Sequence, residues 1–145
     1  MKRFFSFFLV LMQFFCIFFL IFKSQVPFQN LFSSIFIFLG LFIGFYALYS
    51  FRVTKFSFFP QLRPGSKWVS DGIYKYLRHP MYLGVLLFSF GFFFSSVNAI
   101  NAGILFVLFL VLYAKIIIEE QQLVMVFPDY INYLKSSKRL IPFVW

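Results

Sequence analysis

Between Pro80 and Ala114 the chain runs for 35 residues without a charged side chain. As a single helix that run would be about 52 Å long at 1.5 Å per residue, far more than the ~30 Å hydrocarbon core of a bilayer. It has to fold back on itself. The polar cluster Ser95-Ser96-Val97-Asn98, followed by Asn101, is the turn chemistry near its middle. The sequence therefore predicts a helical hairpin with arms at 80–96 and 99–118, its two ends on the same membrane face. The first arm is short for a full span, so it tilts little, thins the bilayer locally or stops just short of the far side.

Two further uncharged runs precede the hairpin. Phe4 to Phe22 is bounded by Lys2, Arg3 and Lys23, and it reads as a retained helix because Lys23 to Pro27 offers no small-residue cleavage site. Leu31 to Phe51 is long enough for another crossing. Gly40 and Gly44 within it form a small-xxx-small pair that lets helices approach closely, although glycine is common in such helices in any case. Of the 145 residues, 62% are hydrophobic and 12% charged. A soluble domain carries about a quarter charged residues, so a water-soluble globular fold is excluded. The expected fold is an all-α integral membrane protein of about four transmembrane helices. The last two form the hairpin, and residues 121–145 form an interfacial C-terminal segment. One cysteine, Cys16, rules out intrachain disulfides and cysteine-based metal sites by count, and no metal is expected.

Charge asymmetry sets the expected orientation. Two basic residues precede the first helix, one lies between the first and second, six lie from Arg52 to Arg78, none at the hairpin turn and three after Glu120. The positive-inside rule then puts both termini and the 52–79 loop in the cytoplasm. Lys115 is expected to snorkel to the same side. Phe56, Phe58, Phe59 and Trp68 suit the headgroup layer. The net charge of +9 follows the membrane face, and no nucleic-acid partner is expected.

Ionisable groups near a span are costly, roughly 2.5–3.5 kcal/mol at a helix centre, and so mark candidate function. His79, the single histidine, and Arg78 precede Pro80, a residue suited to the first turn of a helix. Glu119 and Glu120 close the second arm. Arms that start and end on one face bring these two clusters to similar depth, so 40 residues of separation become a spatial contact. The plainer readings stay open residue by residue: Arg78 as a headgroup anchor, Glu119 paired with Lys115, Glu120 solvated, Tyr74, Tyr76 and Tyr82 as interfacial aromatics, Asp71-Gly72 as a turn.

Asp71 to Gly84 reads DGIYKYLRHPMYLG. This stretch resembles the signature of the isoprenylcysteine carboxyl methyltransferase and phospholipid methyltransferase superfamily, in which Gly-x-Tyr leads into Arg-His-Pro-x-Tyr-x-Gly at the head of a hairpin. The similarity continues through Glu119-Glu120, then Phe127, Tyr130 and Tyr133, then Arg139-Leu140-Ile141-Pro142, covering roughly 61–142. The two helices before it resemble the family in being apolar and no further. Pro128 departs from the pattern, standing where such sequences often carry Gly.

The resemblance implies a membrane methyltransferase that takes S-adenosylmethionine at the cytoplasmic face and a lipid-linked or small hydrophobic acceptor from the bilayer. It implicates Arg78, His79, Tyr82, Gly84, Glu119 and Glu120 as the cofactor pocket. The chemistry adds two candidate catalytic residues: a glutamate such as Glu120 as base where the acceptor is a protonated amine, and Arg139, brought back to the interface by the tail, to orient an anionic acceptor. A chain this short either lacks part of the substrate tunnel or completes it with a second copy, so a homo-oligomer stays open. Two competing readings are an NADPH-dependent reductase of the sterol-reductase type, which shares the hairpin and His-Pro region, and a non-enzymatic membrane scaffold.

Overall fold

In a computed structural model of the chain, the described residues are 2–24, 30–53 and 70–140. Long apolar runs with no interior breaker become helices: α1 (Lys2–Lys23), α2 (Leu31–Val53), α3 (Pro80–Ser95) and α4 (Ala99–Val126), followed by the short α5 (Tyr130–Ser136). There is no β-strand among the described residues. α1, α2 and α4 are long and apolar enough to cross a membrane, and α3 is a shorter apolar helix. The chain is an all-α integral membrane protein. The predicted loop residues Phe56, Phe58, Phe59 and Trp68 lie outside the described residues.

The hairpin turns where its polar cluster predicts. Ser96 ends α3, and the Asn98 side chain accepts the Asn101 backbone N–H at 2.9 Å, capping α4. Asn101 returns its own amide N–H to the Ser96 carbonyl at 2.7 Å, so the turn bonds its own backbone through the side chains of Asn98 and Asn101. The second arm is longer than expected. α4 continues eight residues beyond Ile118, to Val126. Charge at Glu119 ends the apolar run without ending the helix, because Glu, Gln, Leu and Met are good helix formers. The helix stops at Phe127, held in the β region (φ −122°, ψ 94°) ahead of Pro128. The proline at the position of the family's glycine thus serves as the stop.

α3 and α4 occupy the middle of the bundle, with α2 packed along α3 and α1 along α4. The α2–α3 seam is built for close approach. A Cβ on Gly84 would lie 2.9 Å from the Gly40 carbonyl and from the Gly44 nitrogen, and one on Gly91 would lie 2.9 Å from the Ser33 carbonyl. Helices in lipid lack a hydrophobic drive toward each other and associate by packing and hydrogen bonds. The buried Ser33 hydroxyl supplies one such bond, donated to the Gly91 carbonyl at 2.7 Å. Ser33→Ala is expected to lower unfolding free energy in detergent by about 0.6–1 kcal/mol, measured against the unchanged chain. On the other side, Cys16 and Leu20 of α1 join Leu105, Leu108, Leu112 and Ile116 of α4 in the main core.

Candidate functional site

At the foot of the hairpin the backbone itself brings distant segments together. Residues 76–79 run beside 138–139 as a short parallel pairing. The Lys138 N–H donates to the Tyr76 carbonyl at 3.0 Å, Arg78 N–H to Lys138 at 2.7 Å and His79 N–H to Arg139 at 3.1 Å. Gly72, at φ +62°, opens the 3-10 turn Gly72–Lys75 that leads into this pairing. The Tyr133 hydroxyl donates to the Tyr74 carbonyl and ties α5 to the same turn.

This pairing delivers Arg139 to Glu120. Glu120 is buried, its side chain 8% exposed. Its Oε2 receives Arg139 Nε at 3.1 Å and Nη2 at 3.0 Å. Its Oε1 stands 3.0 Å from Arg78 Nε, an ion contact without the alignment of a hydrogen bond, and 3.5 Å from His79 Nε2. Both oxygens are therefore held by the protein's own cations. Arg78 also donates from Nη1 to the Leu134 carbonyl at 2.8 Å, a fixed position and not that of a headgroup anchor. Glu120 is not solvated.

Glu119 points another way. One helix position away from Glu120, it leaves 44% of its side chain exposed. Its Oε1 accepts the Tyr82 hydroxyl, and its Oε2 lies 3.8 Å from His79 Nδ1. The His79 ring, itself buried, stacks on Tyr82 with centroids 5.5 Å apart. His79 thus stands between the two carboxylates, one ring nitrogen toward each. Beside Glu120 and Arg139 a cleft of roughly 350 Å³ opens, lined by Ile117, Gln121, Val124, Met125 and Leu134.

Burial pushes the hydroxyls of Tyr74, Tyr130 and Tyr133 up, Tyr133 to about 12. They remain protonated donors at neutral pH. A raised tyrosine pKa in the folded state contributes stability that is complete below about pH 10 and lost as pH rises to about 12. Thermal unfolding scanned across that window is expected to show a smaller alkaline loss in Tyr133→Phe than in the unchanged chain.

Six of the seven residues singled out from the sequence meet in this cluster: Arg78, His79, Tyr82, Glu119, Glu120 and Arg139. Gly84 does not. The resemblance put it in the cofactor pocket, but the space its missing side chain leaves is filled by the α2 backbone at Gly40 and Gly44. Tyr74 and Tyr82 are packed inside, while Tyr76 is 60% exposed, as an interfacial aromatic would be. Lys115 neither snorkels outward nor closes on Glu119; it donates to Gln13 Oε1 of α1 at 2.7 Å. Gln13 belongs to no motif, although a lone amide in an otherwise apolar span is itself a signal that a partner is near.

The fold and the cluster define a polytopic helical membrane protein with a charged site at the foot of its hairpin. The family model for phospholipid methyltransferases matches residues 28–130, and the chain belongs to this family, part of the superfamily shared with the isoprenylcysteine carboxyl methyltransferases. The match begins earlier than the sequence resemblance did, taking in α2, and stops before Arg139. No curated protein matches the chain.

Proposed function

We propose that the chain transfers a methyl group from S-adenosylmethionine to a lipid-linked or small hydrophobic acceptor at the cytoplasmic face of the membrane. The observation that carries this reading is the division of labour between the paired glutamates: Glu120 buried among Arg78, His79 and Arg139, Glu119 half-exposed at the same depth. When bound, the cofactor supplies an electrophilic methyl on a sulfonium. The residues present suit such a molecule. Glu119 offers a carboxylate with one oxygen on Tyr82 and the other turned toward His79, able to receive an ammonium or ribose hydroxyls. Glu120 holds Arg78 and Arg139 in place, its Oε2 hydrogen-bonded to Arg139 and its Oε1 in ion contact with Arg78.

In-line methyl transfer needs orientation more than proton chemistry, so a rigid site supplies much of the rate. With an amine acceptor a proton must leave; Glu120, the base expected from the sequence, is enclosed by its cations, and Glu119 is the carboxylate in reach of solvent that takes that role instead. The cleft walled by Ile117, Val124, Met125 and Leu134 suits the apolar part of the acceptor, with Arg139 at its polar end. The lysine and arginine tally supports cytoplasmic termini and a cytoplasmic site.

The test is thermal unfolding in mild detergent with S-adenosylhomocysteine. At 100 times its dissociation constant a ligand stabilises by about 2.7 kcal/mol. Stabilisation by this ligand, and none by NADPH, is the expected result; the reverse would replace the methyltransferase reading with the reductase one.

A further inference from the structure

α1 lies outside the stretch that matches the family, which begins at residue 28, yet it contributes a polar side chain to the bundle interior. Gln13, 8% exposed, accepts a hydrogen bond from Lys115 Nζ at 2.7 Å. The same ammonium sits over the Tyr82 ring, 4.8 Å from its centroid, and the Tyr82 hydroxyl donates to Glu119. Polar groups at this depth are costly and are kept where they act on something. A lysine held between an amide and a ring face fixes that ring from one side, and His79 stacks on it as well.

We propose that Gln13 is a positioning residue for the site. Acting through Lys115 and Tyr82, it sets the direction of the Glu119 carboxylate and makes α1 part of the site. Lys115 belongs to the same device: its stem reaches along α4 to α1 so that its charge meets Gln13 and the Tyr82 face. The chain of contacts predicts a coupling between Gln13 and Tyr82, which the pair would lack if each packed independently.

Two measurements test this, and the second alone rests on the cofactor reading. In the first, Gln13→Leu, Tyr82→Phe and the double variant are unfolded in detergent; the shifts are expected to be non-additive. Additive shifts overturn the proposal whatever the ligand. Gln13→Asn, which withdraws the amide by one methylene, replaces Gln13→Leu if that variant does not fold. In the second, S-adenosylhomocysteine affinity is measured by calorimetry. Gln13→Leu is expected to weaken it about tenfold, and Gln13→Glu, which keeps an acceptor oxygen for Lys115, to restore it within about threefold. Equal affinity in Gln13→Leu and the unchanged chain would mean a structural role alone and overturn the proposal. Non-additive unfolding in a chain that does not bind the ligand supports the positioning chain and overturns the cofactor assignment instead.

Discussion

Glu120→Gln is expected to weaken S-adenosylhomocysteine binding by about 100-fold or more and to lower stability by about 3 kcal/mol. The amide cannot neutralise Arg78 and Arg139, and its NH2 group would turn a donor toward their donors. Breaking a buried ion pair costs about 3–5 kcal/mol, and the lower end applies because the Arg139 side chain is 31% exposed. Binding falls further than stability alone explains because Glu120 sets the positions of three groups at once: Arg78, His79 and Arg139. Glu120→Asp, which keeps the charge and shortens the reach, should recover part of the stability and less of the binding. Calorimetry on variants that still purify as inserted, monodisperse protein separates the two effects. Wild-type affinity in Glu120→Gln would remove Glu120 from the site.

Gly84→Leu is expected to have the largest effect on the fold, destabilising by about 3 kcal/mol or more. The three atoms nearest an added Cβ are all α2 backbone, the Gly40 carbonyl and the Gly44 nitrogen and Cα at 2.9–3.0 Å. Backbone cannot swing aside as a flexible side chain does, so α2 and α3 must separate. The hydrogen bond from Ser33 to Gly91 would go with them. Gly84→Ala should show the same sign with a smaller loss. Gly44→Ala is the contrast: a Cβ there meets nothing within 4 Å. It should be neutral or stabilising by up to about 1 kcal/mol from helix propensity. Reversed ranking of Gly84→Ala and Gly44→Ala in chemical unfolding would show that the seam packs in another way.

The hairpin was legible because a 35-residue uncharged run leaves one solution in a bilayer. The charged cluster was legible for a related reason: costly groups at both hairpin ends had to share one depth. What stayed hidden depends on which way a side chain faces. Glu119 and Glu120 are adjacent in sequence and about 100° apart around the helix. Their separation into one outward and one enclosed carboxylate needed the tail folded back on residues 76–79. Gly84 shows the limit of motif transfer, since a position that a family signature marks gives no hint whether its bare Cα faces a ligand or a neighbouring helix. α4 outlasts its apolar run because loss of hydrophobicity and loss of helicity are different events, 8 residues apart here.

The pairing of residues 76–79 with 138–139 also sets an order of events during synthesis. Arg139 follows the four apolar helices of the described residues, so each of them can enter the bilayer before that cation reaches Glu120. Without that contact Glu120 keeps Arg78 and His79 as its neighbours. The foot of the hairpin is therefore completed by a contact from outside the apolar helices, one that needs no further movement across the membrane.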